Sequence, residues 1–109
     1  MTFIPITRNL SLYQGSEFSN TFYLGYTNTD FSNTSIVGKL TENHESNTTY
    51  SFTGIGFANA CVTLSMNGAS TALIPEGRFF YDIFSVDASN NHNRIMNGIV
   101  TVYPSVTFP

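Results

Sequence analysis

Two histidines, one cysteine and seven carboxylates are the side chains here with catalytic or metal-binding chemistry. His44 lies in "ENHES", between Glu42 and Glu45. An imidazole flanked by acids is the raw material of a metal site. This spacing matches no established ligand pattern, however, and reads as a polar turn. His92 lies in "SNNHN", a run of turn formers, with no partner that would make it a general base. Cys61 is alone, so an internal disulfide is excluded, and it reads as a small strand residue. The glycines of "GIG", 54–56, lack the strand-to-helix context of a phosphate loop and read as a turn. Asp82 and Arg94 each precede apolar residues in what read as neighbouring strands, which predicts a structural cross-strand ion pair. Asn9, Asn33 and Asn47 head Asn-x-Ser/Thr triplets, which chance supplies in a chain this rich in Asn, Ser and Thr. No cluster of titratable groups emerges from spacing. The expectation is a protein that is not an enzyme and uses no metal or cofactor.

The elements that must position these residues read as strands. The 109 residues suffice for one domain and one core. Charged residues are 10%, against roughly 25% in ordinary globular chains. Aromatic residues are 15%, and turn formers dominate the polar remainder, a balance that suits a sheet and not a helical bundle. Arg8, Lys39, Arg78 and Arg94 are scattered along a chain of net charge -3, so phosphate-neutralising nucleic-acid binding is not expected. "MTFIPITR" lacks a basic start followed by a long apolar run, and Asn, Thr, Ser and Gly interrupt the uncharged span 46–75. Neither a secretory signal nor a membrane span is expected; a soluble protein made in a cytoplasm is.

Period two runs through the chain. "ITRNLSLY" aligns Ile6, Leu10 and Leu12, and "EFSNTFYLGY" aligns Phe18, Phe22 and Leu24. "SIVGKLT" aligns Ile36, Gly38 and Leu40, and "TTYSFTG" aligns Tyr50 and Phe52. "CVTLSM" sends Val62, Leu64 and Met66 inward. "GRFFYDIFSV" and "RIMNGIVTVY" follow, the second aligning Met96, Gly98, Val100 and Val102. "YTNTDFSN" reads as a loop, "ENHESN" as a turn and "DASNNHN" as a hairpin connection. One helical turn is expected near "GASTALIPEG", capped by Ser70 and stopped by Pro75. About seven strands in one chain of this length predict a single antiparallel β-sandwich, with residues 1–7 and 104–109 as extended arms. Phe3, Ile4, Val106 and Phe108 on those arms would be stable docked on a partner.

The last third has a recognisable order. In "LIPEGRFFYDIFSVDASNNHNRIMNGIVTVYPSVT" a loop ends in Gly, then comes an aromatic-x-aromatic-Asp strand. A hairpin follows, then Arg, an apolar pair, Gly and a Val-rich strand closed by Pro. "LSLYQGSEF", "CVTLSM" and "STALIPEG" keep the same order upstream. The chain resembles the immunoglobulin-like β-sandwich of bacteriophage virion proteins, such as the N-terminal domain of baseplate upper proteins and related tail and capsid accessory domains. The resemblance implies a structural subunit of a virion that binds other phage proteins in multiple copies, with no nucleic-acid or membrane partner. Baseplate members continue into a shaft. A chain ending at Pro109 better suits a capsid decoration or cement protein, or a tail, neck or baseplate accessory. The alternative is a host-surface or glycan-binding module using Tyr23, Tyr26, Phe80 and Phe84. The run "GRFFYDIFSV" then has two faces. Phe79, Tyr81 and Ile83 point inward. Phe80, Phe84 and Val86 point outward around Asp82, and Phe80 and Phe84 are expected under a loop, such as 26–33, or in a subunit contact.

Overall fold

β-Branched and aromatic residues in alternation build strands wherever one face can be buried. The structure, a computed structural model, describes residues 4–43 and 47–107. Eight strands form: β1 (Ile6–Thr7), β2 (Leu10–Tyr13), β3 (Phe18–Tyr23), β4 (Ser35–Thr41), β5 (Tyr50–Phe57), β6 (Cys61–Met66), β7 (Gly77–Val86) and β8 (His92–Tyr103). A four-residue helix, α1 (Gly68–Thr71), lies between β6 and β7. All strands belong to one curled sheet in the order β1-β8-β7-β4-β5-β6-β3, with β2 also on β8. The chain is all-β. The curl is made at β5, whose residues Thr53–Ile55 pair with β4 on one side and β6 on the other. "GIG" is therefore strand and not turn. Gly56 is required there because a Cβ would meet Phe31, which anchors the 26–33 loop in the core.

The alternation expected for β2, β4, β6 and β7 is the one observed, except that Cys61, expected on the outward side of β6, is buried. Leu12, Leu40, Val62, Leu64, Ile83, Met96 and Val100 are fully buried inside the curl. An aromatic chain crosses the interior. Phe18 and Phe52 have ring centroids 5.8 Å apart, and Phe52 meets Tyr81 edge-on at 6.1 Å. Such tilted contacts suit the ring quadrupoles. The N-cap of α1 is Asn67, whose side chain accepts from the Ser70 amide at 2.8 Å, and not Ser70 itself. Buried Thr71 ties α1 to the β2–β3 turn, accepting from the Gly15 amide and donating to the Ser16 carbonyl.

"ITRNLSLY" alternates as one strand but pairs as two. β1 and β2 both run parallel to β8, Ile6 opposite Met96 and Leu10 opposite Val100, so the offset is unchanged across the break. Arg8 is thus opposite Gly98, and its amide still donates to the Asn97 carbonyl at 2.9 Å. In an unbroken parallel ladder its carbonyl would accept from the Ile99 amide. Instead the Arg8 carbonyl turns inward and accepts from the buried Tyr81 hydroxyl. The freed Ile99 amide donates to the Asn9 side chain at 3.2 Å. The Arg8 amide, the Arg8 carbonyl and the Ile99 amide thus each keep a partner across the break. Gly98, at φ 153°, makes the detour possible, because a Cβ there would collide with the Arg8 carbonyl. The segment expected as an N-terminal arm thus enters the sheet at Ile6.

Gly98→Ala is expected to cost about 3 kcal/mol of folding stability, since backbone must move. Gly25→Ala, at φ 77° with open space around it, is expected to cost about 1 kcal/mol. Equal midpoint shifts in denaturant titrations of the two variants would contradict the Arg8–Gly98 account. Burial also pushes the Tyr81 hydroxyl above its ordinary value of 10.0, with the Arg8 charge opposing weakly. A raised folded pKa stabilises fully below the unfolded value and is lost as pH climbs. Stability should therefore fall above pH 10, and Tyr81→Phe should flatten that alkaline limb while lowering neutral-pH stability by about 1–3 kcal/mol.

Candidate functional site

The outer face of β4, β7 and β8 collects what the inner face excludes. Outward parity places Val37 and Lys39 of β4 beside Arg78, Phe80, Asp82 and Phe84 of β7. Beyond these lie Arg94, Asn97 and Ile99 of β8. Register sets the rows: Thr41–Phe80–Ile99, Lys39–Asp82–Asn97 and Val37–Phe84–Arg94. A bulge fixes the last row. The register shifts between Ile83 and Phe84, so Met96 faces Ile83 but Arg94 faces Phe84. The extra residue, Ile95, is buried together with Met96. A bulge of this kind re-aims the side chains beside it.

Arg94 does two things on this face. Its guanidinium lies 3.6 Å from the Asp82 carboxylate, the ion pair expected from the sequence. It also stands 5.4 Å from the Phe84 ring centroid, in cation–π range. Phe84 is consequently half-buried beneath Arg94 and not under the 26–33 loop. That loop is engaged elsewhere: the Tyr26 hydroxyl lies 2.6 Å from the Ile4 carbonyl and 3.1 Å from that of Ile95. Phe80 remains 45% exposed. It forms a crest between two shallow hollows. One, of about 180 Å³, is lined by Lys39, Thr41, Thr49 and Asp82. The other, of about 300 Å³, is lined by Arg94, Asn97, Gly98 and Ile99. Both sit at or below the low end of small-molecule clefts, roughly 300–1,000 Å³, and suit a partner's side chains better than an engulfed ligand.

Ile4 and Val106, also expected as contact residues, do not join this face. Ile4 is 82% exposed beside the start of β8, and Val106 is 97% exposed beyond its end. They sit at opposite ends of the sheet. The chain between β8 and Val106 is pinned where the Ser105 amide donates to the Gln14 side chain. Phe3 and Phe108 lie outside the described residues, as does His44. Among the described residues no three His, Cys, Asp or Glu side chains group as metal ligands. No described helix is long and apolar enough to cross a membrane. His92 is exposed at the hairpin tip, within 3.1 Å of the Asn90 carbonyl. Cys61 is buried, paired in register with Tyr23 on one side and Phe57 on the other.

Sequence reasoning missed the cations. Arg8, Lys39, Arg78 and Arg94 are scattered in sequence, yet three of the four share the outward face of β4, β7 and β8. The signal is parity: Arg78 shares the outward parity of Phe80, Asp82 and Phe84, and Arg94 stands opposite Phe84. No family model matches this chain. No curated protein matches it either. Among solved structures, an internalin-like protein of Listeria monocytogenes is similar in fold, with a TM-score of 0.50 at 12% identity. The match covers 91% of this chain and 28% of that one.

The two faces of β7 should separate cleanly in mutagenesis. Phe79→Ala is expected to lose about 3–5 kcal/mol as a core deletion. Phe80→Ala should lose about 1 kcal/mol or less. Chemical denaturation of both variants checks this. Similar losses would mean that Phe80 is packed as core.

Proposed function

We propose that this chain is a non-enzymatic structural subunit of a bacteriophage particle, built as an immunoglobulin-like β-sandwich. It binds neighbouring virion proteins through the outer face of β4, β7 and β8. One observation carries the reading: the residues that bear the family resemblance, Gly77 to Pro104, supply β7 and β8, the two strands of that face that hold Phe80, Phe84 and Arg94. A sandwich reading is supported by the curled sheet, in which Phe18, Val62 and Leu64 of β3 and β6 share one core with Phe79, Tyr81 and Val100 of β7 and β8. The parallel seating of β1 and β2 on the last strand supports it further.

A surface of aromatic and aliphatic side chains, with charges at its margin, is the composition of a protein–protein contact. Arg94 and Phe80 are of the residue classes that anchor such contacts. The glycan-binding alternative draws on Tyr23, Tyr26, Phe80 and Phe84. The fold does not converge these four. Tyr23 is on β3 at the far edge of the sheet, and the Tyr26 hydroxyl is engaged with the β8 backbone.

Mass spectrometry of purified particles of the encoding phage tests the proposal. Peptides of this chain should co-purify with particles through a density gradient. Hundreds of copies would place it as capsid decoration or cement, and roughly six to a few dozen as a tail, neck or baseplate part, following the symmetry of each. Absence from the particles would overturn the reading.

A further inference from the structure

The face around Phe80 has a charge opposite to that of the rest of the molecule. Lys39, Arg78 and Arg94 against Asp82 leave it at +2 in a chain of net charge -3, so the remaining residues carry -5. Asp82 is occupied by Arg94, while neither Lys39 nor Arg78 has an ion pair among the described residues. The acids are concentrated as well. Glu42 lines a hollow with Pro75, the residue before Glu76, so these two carboxylates are neighbours at one end of the sheet. Glu17 follows the β2–β3 turn, which Thr71 binds to α1 at that same end. None of the three has an ion pair among the described residues. Leu73, in the loop after α1 and three residues before Glu76, is 74% exposed. This end therefore carries an exposed leucine and unpaired carboxylates. The face is an aromatic crest with two hollows ringed by cations.

We infer that the occupant of the β4–β7–β8 face is a second copy of this chain, presenting its Leu73 end. Leu73 enters a hollow beside Phe80, and Glu42 and Glu76 approach Lys39 and Arg78. Charge complementarity selects this occupant, because the two surfaces are complementary to each other and each repels its own kind. The contact joins two different patches, so it is heterologous and lets copies follow one another in a ring or row. Its size is set by the narrow dimensions of the molecule, 27 by 21 Å. That gives on the order of 500 Å² per partner, at the low end for specific interfaces, so a single contact is weak and gains strength by repetition. This rests on reading the face as a contact surface. Membership of a phage particle is tested separately, so either can fail without the other.

Two surface variants test it. Lys39→Glu with Arg78→Glu spoils the face and keeps the end. Glu42→Lys with Glu76→Lys spoils the end and keeps the face. In sedimentation equilibrium at low salt the wild-type mass should rise with concentration, and each variant alone should associate at least about tenfold more weakly. An equimolar mixture of the two should regain the association, since the intact face of one meets the intact end of the other and the two reversed patches are again opposite in charge. Raising the salt should weaken wild-type association by about tenfold or more. A wild type that stays monomeric up to about 1 mM at low salt would overturn the inference and leave the face to a different acidic protein. A mixture no stronger than either variant alone would overturn it too.

Discussion

The rerouted carbonyl of Arg8 is the constraint on which the rest of the sheet depends. β8 must hold β7 along one edge and the first strand along the other. The first strand cannot stay flat against it over its whole length, because the inner side of β8 opposite Tyr81 is already filled by the tyrosine ring. Gly98 supplies the only kind of opening a backbone can enter there. The Arg8 carbonyl takes that opening, the Tyr81 hydroxyl satisfies it, and the Asn9 amide group takes over the abandoned Ile99 amide. A buried carbonyl without a donor would cost about 1–3 kcal/mol, so the three side-chain choices are coupled. Because the offset to β8 is unchanged across the detour, β2 arrives with Leu10 and Leu12 still facing the core.

The same strand pair then decides what the outside looks like. β7 is alternating on both faces: aromatic and aliphatic inside, aromatic and charged outside. An outward Phe next to a charged pair is costly only if left in water, and the bulge at Ile83/Phe84 reduces that cost by laying Arg94 over Phe84. Without the bulge, alternation from Met96 would turn Ile95 outward and send Arg94 into the interior, where a guanidinium could not stay unpaired. The bulge therefore keeps one cation on the surface, covers one ring and fills the core with Ile95 in a single step. Phe80, two residues on the other side of Asp82, receives no comparable cover from Arg94 and stays as the crest.

Much of this was legible in the sequence because period two has one physical cause. Ile36, Gly38 and Leu40, or Val62, Leu64 and Met66, can only be explained by a face that meets the core, and they do meet it. The Asp82–Arg94 pair was legible for the same reason: a hairpin makes neighbours of its two strands. What was not legible depended on partners distant in sequence. The break at Arg8 leaves alternation intact, so nothing local marks it. The glycines at 54 and 56 look like a turn until Ile36 and Phe31 are known to press against them. Asn67 caps α1 rather than Ser70 because Thr71, not a more distant residue, is drawn inward to hold the Gly15 turn. The gathering of Lys39, Arg78 and Arg94 requires the β4–β7–β8 register, which no single strand contains.

Sparse charge gives that gathering its weight. In a chain where charged residues are 10%, most of the surface is neutral Asn, Ser and Thr and offers an approaching protein no direction. Apolar area supplies affinity without orientation, since the hydrophobic effect is non-directional. Orientation must then come from the few charges, and their effect on encounter exceeds their share of the binding energy. Three cations placed on one face of a net acidic molecule, around an aromatic that the core does not need, therefore constitute more than a solvated surface. On the proposed reading they define a side of this sheet on which an acidic partner would be attracted before it is in contact and would find an apolar crest when it arrives.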